Sequence, residues 1–424
     1  VKPRFNILVR NMLIASGSYA AKVKRFSFNA RMYLLFVFLT TLNAGIYGVI
    51  FNLYILRLGF GEDFLGLILS SSSTAMGLFA IPAAFVCDRL GRKRTLLLSS
   101  LLSVFSLLFL YNITSPSLLV LFSVAMGMAG SLSLITGSTF LLENSAREER
   151  MYLFSMSSLI YTFSILSGNM IGGSFPGVMA GIFSLEIGGA EAYRLTLYLS
   201  LIATTASLLP LIFVTEAKAL NGDGIGSQLG IYISIFKSKA VRQMTFFYCL
   251  YGIGWGTSLP YFNVYFATVL GADANQIGIF FSISQLFMIF GYFMVPILAE
   301  RTGRVKLVAS VQILSIPFLL LFVHTNNLLL AVIGFVMRYM LMNMANPILN
   351  SFKLEIVKPE ERSIINSVMW MACYTFVGIG TYAGGMMMAE GYSSMPFLIT
   401  ALLYGVTAVL YYIYFNKLEK SMAL

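Results

Sequence analysis

Charge is scarce in this chain. Lysine, arginine, aspartate and glutamate make up 11% of its 424 residues, against about 25% in a typical soluble domain, so a water-soluble fold is excluded. Histidine occurs once, at His324, and cysteine three times, at Cys87, Cys249 and Cys373. None has the spacing of a metal site or a disulfide framework, and the cysteines read as small buried apolar residues. No aspartate, glutamate or histidine falls deep inside a long apolar run. An intramembrane enzyme needs a buried nucleophile, base or metal cluster, so neither catalysis nor a metal or cofactor is expected. Residues 1–30 are basic but lack the apolar core and small-residue cleavage site of a signal peptide. An amphipathic stretch over Phe5–Ile14 is expected to lie on the inner membrane surface.

Apolar residues are abundant, at 58%, and mean hydropathy is +0.83. A helix needs about 20 apolar residues to cross the hydrocarbon core. Twelve runs approach that length: Met32–Leu56, Phe64–Val86, Thr95–Ile113, Leu118–Leu142, Tyr152–Phe175, Leu195–Val214, Met244–Thr268, Ile277–Ala299, Leu307–Val323, Leu328–Ile348, Ile364–Met388 and Phe397–Phe415. The fold class expected is an all-α membrane protein of twelve transmembrane helices.

The first half of the chain returns 212 positions later. Asp88-Arg89-Leu90-Gly91-Arg92 recurs as Glu300-Arg301-Thr302-Gly303-Arg304. Glu143, Glu148, Glu149 and Arg150 recur as Glu355, Glu360, Glu361 and Arg362, and Gly168, Gly172 and Gly173 as Gly380, Gly384 and Gly385. Phe51-Asn52-Leu53-Tyr54 matches Phe262-Asn263-Val264-Tyr265 at an offset of 211. The chain is a duplicated unit. Each unit carries six runs, an even number, so the halves point the same way and are related by an axis along the membrane normal.

Of the 28 basic residues, all but Arg57, Arg194 and Arg338 fall at the N-terminus or in the loops on its side of the membrane. The positive-inside rule then puts both termini in the cytoplasm, and the net charge of +11 is a topology signal, not a nucleic-acid footprint. The expected division is a cytoplasmic or interfacial segment over 1–30, a six-helix bundle over 31–214, a cytoplasmic linker over 215–242, a second bundle over 243–415 and a tail over 416–424.

At this point the residues carry a resemblance. Ala84-Phe85-Val86-Cys87-Asp88-Arg89-Leu90-Gly91-Arg92-Lys93-Arg94, with its copy Pro296 to Arg304, resembles the signature G-x-L-a-D-R-x-G-R-K/R of the major facilitator superfamily, with Ala84 replacing the first glycine. The resemblance runs from about Arg31 to Phe415 and implies two parallel six-helix bundles that move a small solute by alternating access through a central cavity. It implies gating roles for Asp88, Arg89, Gly91, Arg92, Glu143 and Arg150 and for Glu300, Arg301, Gly303, Arg304, Glu355 and Arg362. In the superfamily's sugar porters a pairing like Glu143 with Arg150 and Glu355 with Arg362 forms a cytoplasmic salt-bridge network. Gly168-Asn169-Met170-Ile171-Gly172-Gly173 is similar to the G-P-x-x-G-G motif of proton-coupled exporters, but Asn169 replaces its proline. The recurrence of the glycines in the second half favours close packing over export. The superfamily's helix 4 arginine is here Ser123.

Arg338 falls near the middle of the tenth run, where a charge costs about 2.5–3.5 kcal/mol to insert. In the architecture implied, the first, fourth, seventh and tenth helices line the cavity, so Arg338 is expected to face water and meet an anionic group. The alternative is a structural arginine satisfied by carbonyls or tyrosines. Asn43, Tyr47, Tyr251, Trp255, Gln285 and Asn346, with Asn343, lie at similar depth and complete the candidate substrate site. The chain is thus expected to be a secondary transporter of a small, anionic or amphipathic organic solute. The alternatives are a proton-coupled drug or lipid exporter and, remotely, a non-transporting membrane sensor. It is expected to be a monomer in the plasma (inner) membrane, with lipids and a small-molecule substrate as partners.

Overall fold

The computed structural model describes residues 25–146, 149–216, 234–358 and 361–422. The amphipathic N-terminal stretch, Arg147, Glu148, Glu360 and most of the expected linker lie outside the described residues. The helices are α1 (Phe28–Arg57), α2 (Glu62–Leu78 and Ala80–Leu90), α3 (Arg92–Leu110), α4 (Pro116–Glu143), α5 (Arg150–Phe183), α6 (Ala190–Ala206 and Leu208–Phe213), α7 (Lys239–Ser258 and Phe262–Thr268, joined by the 3-10 turn Leu259–Tyr261), α8 (Ala274–Thr302), α9 (Arg304–His324), α10 (Leu328–Met344 and Asn346–Glu355), α11 (Arg362–Ala389) and α12 (Met395–Met422). α7 begins four residues before the expected boundary, and α12 runs on through most of the expected tail. Phe105, Ile202, Phe293 and Leu402 point outward, as lipid-facing residues do when the surrounding solvent is hydrocarbon.

Ten of these helices are long and apolar enough to cross a membrane singly, and α2 is an eleventh across a 54° bend. α7 is the twelfth, broken into 20-residue and 7-residue pieces. Prolines account for these interruptions. Pro260 has no N–H to give the Gly256 carbonyl, and the Thr381 hydroxyl donates to that oxygen instead, at 3.2 Å. Pro82 likewise cannot donate to Leu78, where α2 bends, and Pro347 follows the break in α10 at Ala345.

One apolar core spans both halves at one membrane face, from Ile46, Tyr54 and Leu65 to Phe262, Ile277, Phe322 and Phe397. At the other face, which carries the loops at Gly91 and Gly303 and is here called the motif face, the core divides. One cluster gathers Phe26, Leu96, Phe140 and Leu211 of the first half. Another gathers Met244, Val305, Phe352 and Phe415 of the second, reached across the interface by Ile81 and Phe85 of α2. The halves are therefore joined by a shared core at the opposite face, while at the motif face their cores are separate and α2 bridges them.

Small residues make that junction. A Cβ on Gly66 of α2 would lie 2.9 Å from the Gly385 Cα of α11, and one on Gly173 of α5 would lie 2.9 Å from the Gly278 Cα of α8. Gly66 and Gly278 are themselves 212 positions apart, so the two contacts are copies of each other. The third glycine of each repeated trio thus packs between halves, while Gly168 and Gly380 pack on the first helix of their own half.

Candidate functional site

Parting the halves leaves a cavity of about 420 Å³, lined mainly by the second half. Aromatic walls come from Tyr248, Tyr251, Trp255, Tyr339, Trp370, Tyr374 and Tyr404, and amides from Gln285, Asn343, Asn346 and Asn350; Leu134 and Tyr161 are the first half's share. A second cavity of about 330 Å³ adjoins it through Leu259, Gln285 and Tyr339. Both fall in the size range of small-molecule sites. Of the residues singled out from sequence, Arg338, Tyr251, Trp255, Gln285 and Asn346 line the first cavity and Tyr47 the second. Asn43 lines neither: it is buried in α1 with its side-chain oxygen unpartnered. Among the described residues no carboxylate or histidine lines either cavity.

Arg338 is 2% exposed. Its Nη2 donates to the Tyr404 hydroxyl at 3.2 Å, and its guanidinium carbon lies 5.0 Å from the Phe262 ring centre and 5.6 Å from that of Tyr404. Nε has no partner. The rings stabilise the cation in part, yet a guanidinium has five N–H donors and no carboxylate meets it. Gln285 is in a similar condition, its amide donating to the Tyr339 hydroxyl at 2.9 Å while its oxygen has no partner. Tyr404 and Tyr339, which orient these groups, stand out from neither repeat nor motif in the sequence.

At the motif face Gly91 and Gly303 both turn at φ 86°, a left-handed conformation that glycine adopts readily. The turn sets Arg92 at the start of α3, within 3.2 Å of Asp88 and 2.9 Å of Glu143. Arg304, its copy at the start of α9, lies 2.8 Å from Glu355 and 3.5 Å from Glu419. The carboxylates expected to face Arg150 and Arg362 are thus held by the signature arginines. Arg150 donates to Ser145, and Arg362 to the Leu354 carbonyl. Glu300, Arg89 and Arg301 form no ion pair among the described residues. Glu419 also accepts from the backbone N–H groups of Arg304 and Val305 at 2.8 and 3.0 Å, capping α9. Glu216, beside Gly91 and 3.6 Å from Arg94, stands by the start of α3. Glu216 follows the last helix of its half and Glu419 sits in the final turn of α12; they are 203 positions apart, off the repeat offset, which hid them. Among the described residues every ion pair joins a half to itself.

The opposite face is sealed by a repeat-related pair. Asn52 donates to the Asn263 side chain at 3.0 Å and to the Pro260 carbonyl at 2.6 Å, while Asn263 donates to the carbonyls of Gly48 and Val49 at 3.2 and 3.0 Å. The break at Pro260 presents the carbonyl that Asn52 reaches. Beyond this layer lies a vestibule of about 750 Å³ lined by Arg57, Tyr193, Ala267 and Asp273. It is larger than the central cavity, but its charged residues Arg57 and Asp273 are exposed, so the central cavity is the better candidate for recognition.

The model of the Major Facilitator Superfamily matches residues 33–378 and, in a second copy, 244–423. No curated protein sequence matches the chain. Among solved structures, the nucleoside transporter NupG superposes with a TM-score of 0.70 at 16% identity, covering 91% of this chain and 98% of that one. A bacterial homologue of the human lysosomal transporter Spinster, in an inward-facing and unoccupied conformation, gives 0.73 at 13% identity, covering 92% and 96%. The D-xylose–proton symporter gives 0.70 at 14%, covering 93% and 97%. With twelve helices in two repeated bundles around a central cavity, and with the family's model matched over nearly its whole length, this chain belongs to the major facilitator superfamily.

Proposed function

We propose that this transporter carries a small organic solute with an anionic group across the membrane by alternating access, with its termini and motif face in the cytoplasm. The observation that carries the proposal is Arg338: a buried guanidinium with an unpartnered Nε, in a cavity that offers it no carboxylate. A solute carboxylate or phosphate supplies the missing acceptor. The aromatic walls suit a planar or amphipathic body, and the amides of Gln285, Asn343 and Asn346 suit its polar edges. The superposed structures carry solutes as different as nucleosides and D-xylose, so the fold leaves the solute open and the lining must select it. With no titratable carboxylate or histidine in the lining, the site favours facilitated diffusion or substrate exchange over proton-coupled export.

Replacing Arg338 decides between a binding and a structural role. An anion site predicts that Arg338→Lys weakens binding, because the charge stays but the forked donors are lost. It predicts that Arg338→Ala abolishes binding while expression and melting temperature hold or rise, because an unpaired charge has been removed. Thermal-shift screening of the purified protein against organic anions, followed by uptake in vesicles, measures both. Normal transport by Arg338→Ala sinks the proposal.

A further inference from the structure

Two charged side chains are buried among the described residues, Arg338 and Lys353, each 2% exposed. Sequence places Lys353 with the basic loops, but the fold tucks it inside the lower piece of α10, one turn beyond Leu349 and Asn350, which line the cavity. Its Nζ lies 4.7 Å from the Trp370 ring centre and 5.8 Å from that of Tyr248. Both rings also line the cavity. No carboxylate pairs with Lys353 among the described residues: Glu355, the acid nearest in sequence, is held by Arg304. Ring faces attract an ammonium but do not replace the hydration it has lost. A methionine or leucine would fill the same space without that cost. The lysine is therefore a second cation short of an anion, about 15 residues and roughly 20 Å along α10 from Arg338.

We infer that Lys353 is a second anion contact on the transport path, which receives the anionic group of the solute between Arg338 and the motif face. This rests on the reading of the cavity as an anion site and adds a second station to it. While no anion is near, Trp370 and Tyr248 hold the ammonium behind the cavity wall. The flexible four-carbon stem lets it exchange ring contacts for the anion beside Asn350. Two stations graded along one helix let the solute leave the deep site without crossing an apolar stretch unpaired.

The chain has two tryptophans, Trp255 and Trp370, and both line this cavity, so intrinsic fluorescence reads it directly. Iodide, caesium and acrylamide, as anionic, cationic and neutral quenchers, are titrated into the purified full-length protein at constant ionic strength. A cationic cavity concentrates iodide, so iodide quenches well beyond caesium in the unaltered protein. Lys353→Met and Lys353→Gln are expected to cut the iodide constant by a factor of about three relative to acrylamide, with melting temperature unchanged or raised. Lys353→Arg is expected to keep it. If iodide and caesium quench alike in the unaltered protein, the anion-site reading itself fails. If iodide is favoured and Arg338→Met abolishes that preference while Lys353→Met and Lys353→Gln leave it intact, the cavity is anionophilic but Lys353 is no part of it, and this inference is overturned. Misfolding of both neutral Lys353 variants would make the ammonium structural and overturn it equally.

Discussion

Glu419 shows how much one side chain at the motif face does. It accepts from the first backbone N–H groups of α9 and lies within reach of Arg304, which also pairs with Glu355. The bonds to the helix start act as an N-terminal cap and meet the positive end of the helix dipole. The flanking ion pairs are partly exposed, 34% and 38% for Arg304 and Glu355, so each contributes at most about 1 kcal/mol. Glu419→Ala is expected to cost about 1 kcal/mol through the lost cap and to lower the melting temperature by about 1 °C in a chain this large. An unchanged melting temperature would mean that water caps α9 as well as Glu419 does. Residues of this kind are not legible in sequence. Arg338 declares itself because a charge at bilayer depth is costly, and Gly91 because its motif is repeated. Glu419 and Tyr404 are ordinary residues made important by which helix end or cation the fold brings to them.

At the scale of helices, hydropathy locates the spans but reads straight through their interruptions, since an average over twenty residues hardly registers one proline. Met244–Thr268 reads as one helix, yet Pro260 breaks α7 where Asn52 needs a carbonyl. The glycine trios are visible in sequence as repeats, but which glycine faces its own half and which faces the other depends on helix rotation. The contact between α5 and α8 turns on Gly173, whose Cβ would meet the Ala274 carbonyl at 2.7 Å and the Gly278 Cα at 2.9 Å, both backbone. Gly177, one turn later on α5, faces open space. Alanine is the better helix former by about 0.8–1 kcal/mol, so on propensity alone both substitutions stabilise. Gly173→Ala is instead expected to force α5 from α8 and slow transport severalfold, while Gly177→Ala leaves it unchanged. Uptake in vesicles by the two variants at matched expression checks this, and equal rates would mean that the helices separate there at no cost.

For the whole molecule, the duplicated sequence has been folded into an asymmetric state: a shared core and hydrogen-bonded seal at one face, divided cores and self-contained ion pairs at the other. The repeat was legible from residue spacing, but the state was not, because both faces use residues from both copies. To the shared core and the glycine contacts at the opposite face the pair Asn52 and Asn263 adds hydrogen bonds, each side chain donating across the interface to the other's helix. A conformational balance shifts by whatever free energy separates its two states. With about 1 kcal/mol net per buried hydrogen bond, losing the two buried ones of the four, Asn52 to the Asn263 side chain and Asn263 to the Val49 carbonyl, by itself moves the populations roughly thirtyfold. The double variant Asn52→Ala, Asn263→Ala is therefore expected to open the opposite face and close the motif face, leaving each bundle intact. Two reporter cysteines in a background without Cys87, Cys249 and Cys373 read this separately. Asn350→Cys sits in the central cavity and Ala267→Cys in the vestibule beyond the seal. A thiol reagent is expected to modify the first more slowly and the second faster once the asparagines are gone. If both rates stay as they were, the glycine contacts and the shared core hold that face without help from the asparagine pair.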